Sequence, residues 1–123
     1  MTLVSLAFLA MPAAVVVPGT DSAGLSGKWH IERRAAGRES RQDCTFIQKG
    51  SDLRGSCSSD RSTVEIRGKV DGKKVTWTYK SESEGGPVTV VYKGTRDSAA
   101  KITGAVSAVE FGIDGEFTAI QSN

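Results

Sequence analysis

Along most of the chain apolar and polar side chains alternate with a period of two, the spacing that sends them to opposite faces of a β-strand. Val64, Ile66, Gly68 and Val70 alternate with Glu65, Arg67, Lys69 and Asp71, and Val75, Trp77 and Tyr79 with Thr76 and Thr78. Val88, Val90, Tyr92 and Gly94 interleave with Thr89, Val91, Lys93 and Thr95, and Ile102, Gly104, Val106 and Ala108 with Thr103, Ala105 and Ser107. Phe117 and Ala119 close the series, and no amphipathic helical stretch remains. The pattern predicts eight strands, at about 28 to 34, 40 to 49, 52 to 58, 63 to 71, 74 to 81, 87 to 96, 101 to 109 and 115 to 121.

The stretch CTFIQKGSDLRGSC, residues 44 to 57, sets the first register. With Gly50 and Ser51 as the central pair of a type II′ turn, Lys49 faces Asp52, Gln48 faces Leu53, Phe46 faces Gly55 and Cys44 faces Cys57. The cysteines then form a non-hydrogen-bonded pair, with Cα atoms roughly 4.5 Å apart, within reach of a disulfide. Cys44, Phe46, Leu53, Gly55 and Cys57 share the inner face; Ile47, on the other, is the exception. A turn at Ala36-Gly37 places Trp29 opposite Cys44 inside. Outside, it sets His30 against Asp43, Glu32 against Arg41 and Arg34 against Glu39, opposite charges that favour this register.

Eight sequential antiparallel strands close most naturally into a small up-and-down β-barrel, all-β, with one cross-strand disulfide, because closure leaves no edge unpaired. A two-sheet sandwich is the runner-up. Inward glycines at 55, 68, 94 and 104 permit the coiling a small barrel needs, and Trp29, Phe46, Ile66, Trp77 and Phe117 are the expected core.

At 123 residues the chain has room for one domain. Sixteen Lys and Arg against 14 Asp and Glu give a net charge of only +2, interleaved along the chain, which excludes a nucleic-acid partner. Residues 3 to 17, LVSLAFLAMPAAVVV, form an uncharged apolar run too short to cross a bilayer, the h-region of a secretory leader, although the first Lys is Lys28. The organisation expected is a leader over 1–23, cleaved or disordered, and a barrel over 24–123. The protein is expected to be secreted or periplasmic, with no membrane insertion after leader removal. An oxidising compartment makes a disulfide the expected state of Cys44 and Cys57.

Inward polar residues are the candidate readers of a ligand: Arg33 and Gln42 near one end and Gln48 deeper, beside the aromatic wall of Trp77, Tyr79 and Tyr92. Longer links from Ser58 to Ser62, Glu82 to Gly86 and Glu110 to Asp114 gather at that end with the Ala36-Gly37 turn and suggest a mouth. Packing competes with binding, since an eight-stranded barrel is just wide enough to be filled by its own side chains. His30, the only histidine, projects outward beside Asp43 as a surface ion pair. There is no nucleophile motif, metal-ligand set or cofactor motif.

Gly27-Lys28-Trp29 on a first strand, followed by an eight-stranded meander, resembles the avidin and lipocalin barrels of the calycin group. LRGSCSS, residues 53 to 59, is similar to the avidin third strand, and GEFTA, residues 115 to 119, to the last. The resemblance implies a ligand contact at Ser59. It departs at Ile31, where avidins have Asn, at Cys57, where they have Tyr, and at Gly115, where they have an acidic contact, so it implies the architecture without biotin binding.

The reading is an exported barrel that binds a small, largely apolar molecule in its interior without a cofactor. One alternative is a cofactor-free isomerase or cyclase acting inside the barrel, which would need only Tyr, Arg and Glu groups at the mouth. Another is a protein-binding or inhibitory module using the outer wall. There Val91, Ala105, Val109 and Ile120 face outward on strands six to eight and would support a homo-oligomer.

Overall fold

The computed structural model describes residues 24–122, so the expected leader over 1–23 lies outside the described residues. Eight strands follow in order: β1 Gly27–Ala35, β2 Arg38–Lys49, β3 Asp52–Ser58, β4 Thr63–Asp71, β5 Lys74–Ser83, β6 Gly86–Ser98, β7 Lys101–Ala108 and β8 Ile113–Ser122. Each pairs antiparallel with the next, and β1 pairs with β8 from Lys28 opposite Ser122 to Ala35 opposite Gly115. The sheet is therefore a closed up-and-down barrel, and the sandwich alternative falls.

The registers derived from charge and cysteine spacing are the observed ones. Trp29 lies opposite Cys44, His30 opposite Asp43, Glu32 opposite Arg41 and Arg34 opposite Glu39. Cys44 lies opposite Cys57 and is bonded to it, with Cα atoms 4.0 Å apart. Gly50 has φ 59° and Ser51 keeps a negative φ, the combination of a type II′ turn. Ala36 and Gly37 both have positive φ, 54° and 75°, as in a type I′ turn.

Strand ends differ from expectation. The link expected from Glu82 to Gly86 contracts to a two-residue turn at 84–85, because Ser83 still pairs with Gly86 and Glu82 with Pro87. Backbone pairing continues there after side-chain alternation has stopped, and only the alternation is visible in the sequence. Strand β8 likewise begins two residues earlier than expected, after a single 3-10 turn at Val109–Phe111.

The middle of the barrel is filled. Trp77 stacks on Tyr92 with ring centroids 4.7 Å apart and meets Phe46 and Phe117 edge-on at 5.1 and 5.3 Å, while Trp29 lies 6.1 Å from Phe46. Gly68 sits across the ladder from Trp77. A Cβ there would fall 1.9 Å from the Thr76 carbonyl oxygen and 2.8 Å from the Trp77 Cβ, so only glycine lets β4 and β5 close around the indole.

One end is plugged. Leu25 is fully buried, and Trp29 Nε1 donates a hydrogen bond of 2.9 Å to its carbonyl. The Gln48 amide donates to Ser26 Oγ at 2.9 Å, and Gln121 Nε2 to the Ser26 carbonyl at 3.1 Å, tying the segment before β1 to β2 and β8. The turns at 50–51, 72–73 and 99–100 lie at this closed end. Those at 36–37, 59–62 and 84–85, with the 3-10 turn, surround the other.

Candidate functional site

Alternation along β1 carries Trp29, Ile31 and then Arg33 to the inside. On β2 the same rule points Gln42 inward, on β5 Tyr79, and on β6 Tyr92. Barrel closure brings these four together above the aromatic layer. Arg33 Nη1 donates to the Tyr79 hydroxyl at 3.0 Å and to the Tyr92 hydroxyl at 3.1 Å. Gln42 Nε2 donates to the Tyr79 hydroxyl at 3.2 Å, and the Tyr92 hydroxyl donates to Gln42 Oε1 at 2.8 Å. The four side chains thus form a closed hydrogen-bonded ring. Burial, chiefly, pushes the Tyr92 phenol well above its ordinary pKa, with Tyr79 adding to the effect, so it stays neutral.

Ser40 belongs to the site and was not among the expected residues: its Oγ accepts from Arg33 Nε at 2.9 Å. The signal was present, since Ser40 is the direct cross-strand partner of Arg33. With Nε held by Ser40 and Nη1 by two tyrosines, the guanidinium is fixed in orientation, and Nη2 has no hydrogen-bond partner among the described residues.

Exposure divides the interior into two halves. Leu25, Ile31, Val75, Trp77, Tyr92, Ile102 and Ala119 are all at 0 %, whereas Gln42, Tyr79, Val88, Val90 and Val106, nearer the other end, retain 5 to 8 %. Val88, Val90 and Val106 belong to the buried core there, beside Tyr79, and are slightly less covered than the middle of the barrel. The polar ring thus lies on the side of the aromatic layer away from Leu25, with the three valines near it. Glu110 pins the rim: its two carboxylate oxygens accept from the Thr89 amide at 2.6 Å and the Thr89 hydroxyl at 2.8 Å. Those bonds, the amide's first, hold the Glu110 carboxyl below its ordinary pKa.

Of the expected site residues, Arg33, Gln42, Tyr79 and Tyr92 converge, and Trp77 lies beneath them as packing. Its indole N–H is buried without a hydrogen-bond partner among the described residues. Ser59 is exposed in the 59–62 link, which a hydrogen bond from its own amide to the Ser62 carbonyl closes, and it stands outside the ring. Gln48 lies at the closed end, where its Nε2 donates to the Gly50 carbonyl. His30 faces outward as expected, 2.9 Å from Asp43 Oδ1, with Glu32 also near at 3.5 Å.

A groove of about 660 Å³ along β1, β2, β7 and β8 is lined by charges of both signs, Glu32, Arg34, Glu39 and Arg41 among them, and Arg33 and Ser40 of the ring also border it. Arg34 and Glu39 pair there at 2.8 Å, and both are exposed. Of the outward apolar residues of β6 to β8, Ala105 lies between Lys93 and Glu116, Ile120 between His30 and Lys101, and Val91 between Thr78 and Ser107.

No protein-family model matches the chain, and no curated protein matches it. Among solved structures it is similar to designed β-barrels. The redesigned barrel mFAP1, bound to DFHBI, is 16% identical, with a TM-score of 0.60 over 81% of this chain and 99% of that one. EF1p2_mFAP2b, also bound to DFHBI, is 18% identical, with a TM-score of 0.58 over 84% and 98%. A further redesigned barrel, b11L5F_LGL, is 22% identical, with a TM-score of 0.58 over 83% and 96%. At such identities the likeness is one of fold. The shared fold is the closed eight-stranded barrel, and no family is named by it.

Proposed function

We propose that this protein binds a small, largely apolar molecule in the open half of the barrel, above the packed aromatic layer. The observation that carries this reading is the ring of Arg33, Gln42, Tyr79 and Tyr92 beside the apolar side chains of Val88, Val90 and Val106, at the end of the barrel opposite Leu25. A few convergent polar groups in an apolar concavity are the usual composition of a small-molecule site. Designed barrels of similar architecture are bound to the small dye DFHBI, which supports a small-molecule ligand for a barrel of this kind. The filled middle makes the seat shallow, so the ligand rests on Tyr79 and the valines and does not run the length of the barrel.

The disulfide between Cys44 and Cys57 supports placing the protein outside the reducing cytosol, in the periplasm or beyond the cell. The site is tested by titration with the apolar fluorophore phenylnaphthylamine. Binding is expected in the wild type and is expected to be lost in Val90→Trp, which fills the seat, provided the variant still melts cooperatively. Equal binding by a folded Val90→Trp protein overturns the location.

A further inference from the structure

The polar ring has more donors than acceptors, and that imbalance specifies the chemistry of what completes it. The Tyr79 oxygen accepts from both Arg33 and Gln42, and its own hydrogen is donated to no described residue. Gln42 Oε1 is occupied by Tyr92, whose own oxygen takes a bond from Arg33. Three donations from the Arg33 guanidinium are used, on Nε and Nη1, leaving both hydrogens of Nη2 free. The hydrogens the ring leaves without a described partner thus include the two of Arg33 Nη2 and that of the Tyr79 hydroxyl.

Charge points the same way. Arg33 is half-buried and permanently cationic, yet every partner it touches is neutral. The carboxylates nearest in the sheet are engaged on the outer wall: Glu39 with Arg34, and Glu32 and Asp43 with His30, while Glu116 lies opposite Arg34. The buried Tyr92 phenol stays protonated and cannot serve as counter-ion. A partly desolvated cation without an opposing charge is unfavourable, and a bound anion relieves it.

We infer that the ligand of this site is a small organic anion, an apolar body carrying a carboxylate, sulfonate or similar oxyanion that meets Arg33 Nη2 and the Tyr79 hydroxyl hydrogen. The inference rests on the open half of the barrel being a binding site, and it disfavours ligands whose polar group is a cation, which would meet the Arg33 charge at close range.

Two dyes with one skeleton test it: phenylnaphthylamine, which is neutral, and anilinonaphthalene sulfonate, which adds the anion. A charge-assisted hydrogen bond predicts that wild-type protein binds the sulfonate roughly 10- to 100-fold more tightly. Arg33→Met is expected to bring the two dyes to a common affinity, and Arg33→Lys to keep part of the preference, since it retains the charge but loses the fork. Melting followed by circular dichroism checks that each variant is folded; should Arg33→Met not fold, the wild-type ratio and Arg33→Lys decide. Equal affinities in the wild type, or a preference that survives in Arg33→Met, overturn the anion while leaving an apolar site standing. Failure of both dyes to bind overturns the site itself and the anion with it.

Discussion

His30 and Arg33 lie three residues apart on β1, on opposite faces, and their surroundings separate a surface charge from a site charge. The hydrogen bond to Asp43 raises the His30 pKa above 6.5, with Glu32 adding to it and partial burial opposing. With the folded value above the unfolded one, the stability His30 contributes is complete below about pH 6.5 and fades as pH rises through the folded value. It is small, because the pair is exposed. The His30 imidazole resonances should therefore titrate with a midpoint above 6.5 in a proton NMR series, and Asp43→Asn should move that midpoint down. His30→Ala should leave the affinity for both dyes unchanged. The facing of each inward residue was legible in the sequence, because alternation fixes it. That Arg33 touches Tyr79 and Tyr92, 46 and 59 positions away, was not, since the contact exists only once the barrel has closed. Ser59 was singled out by resemblance alone, and the resemblance says nothing of how the 59–62 link folds away from the ring.

At the scale of the element, the β2–β3 hairpin was the most legible part of the chain. Two cysteines equidistant from Gly50-Ser51 and a row of opposite charges on β1 and β2 leave one register that satisfies both. Strand ends were less legible, since SESEGGP, residues 81 to 87, holds no apolar residue that marks its inner face. The disulfide closes a short loop that the tight turn already restrains. Replacing both cysteines by alanine should cost about 3 kcal/mol or somewhat less, following the loop-entropy relation, and should be read from urea unfolding of the oxidised wild type against the double variant. A loss far larger would mean that the pair acts by packing beside Trp29 and Phe46 and not by restraining the unfolded chain.

The whole molecule is a cylinder with a plug, and the plug was the part least visible in advance. Leu25 belongs to no alternating run and lies at the edge of a segment read as a leader, yet it is as buried as Trp77. Leu25→Ala should destabilise the barrel by about 2 to 5 kcal/mol, a large share of the roughly 5 to 15 kcal/mol that holds a domain of this kind folded, measurable as a lower urea midpoint. The expected boundary at residue 24 retains this side chain. A shorter chain beginning at Gly27 should lose the Trp29 and Gln48 hydrogen bonds as well as the leucine.

Because Lys28 lies opposite Ser122 in the ladder, and Gln121 reaches back to Ser26, the described chain is in effect a ring severed at one point of its closed end. Where it is severed is then arbitrary to the barrel. A permutant in which a short Gly-Ser linker joins residue 122 to residue 24, with new ends opened at the 84–85 turn, should keep every strand neighbour and the Cys44–Cys57 bond. Its near-ultraviolet circular dichroism, which reports the stacked Trp77 and Tyr92, should match that of the parent chain.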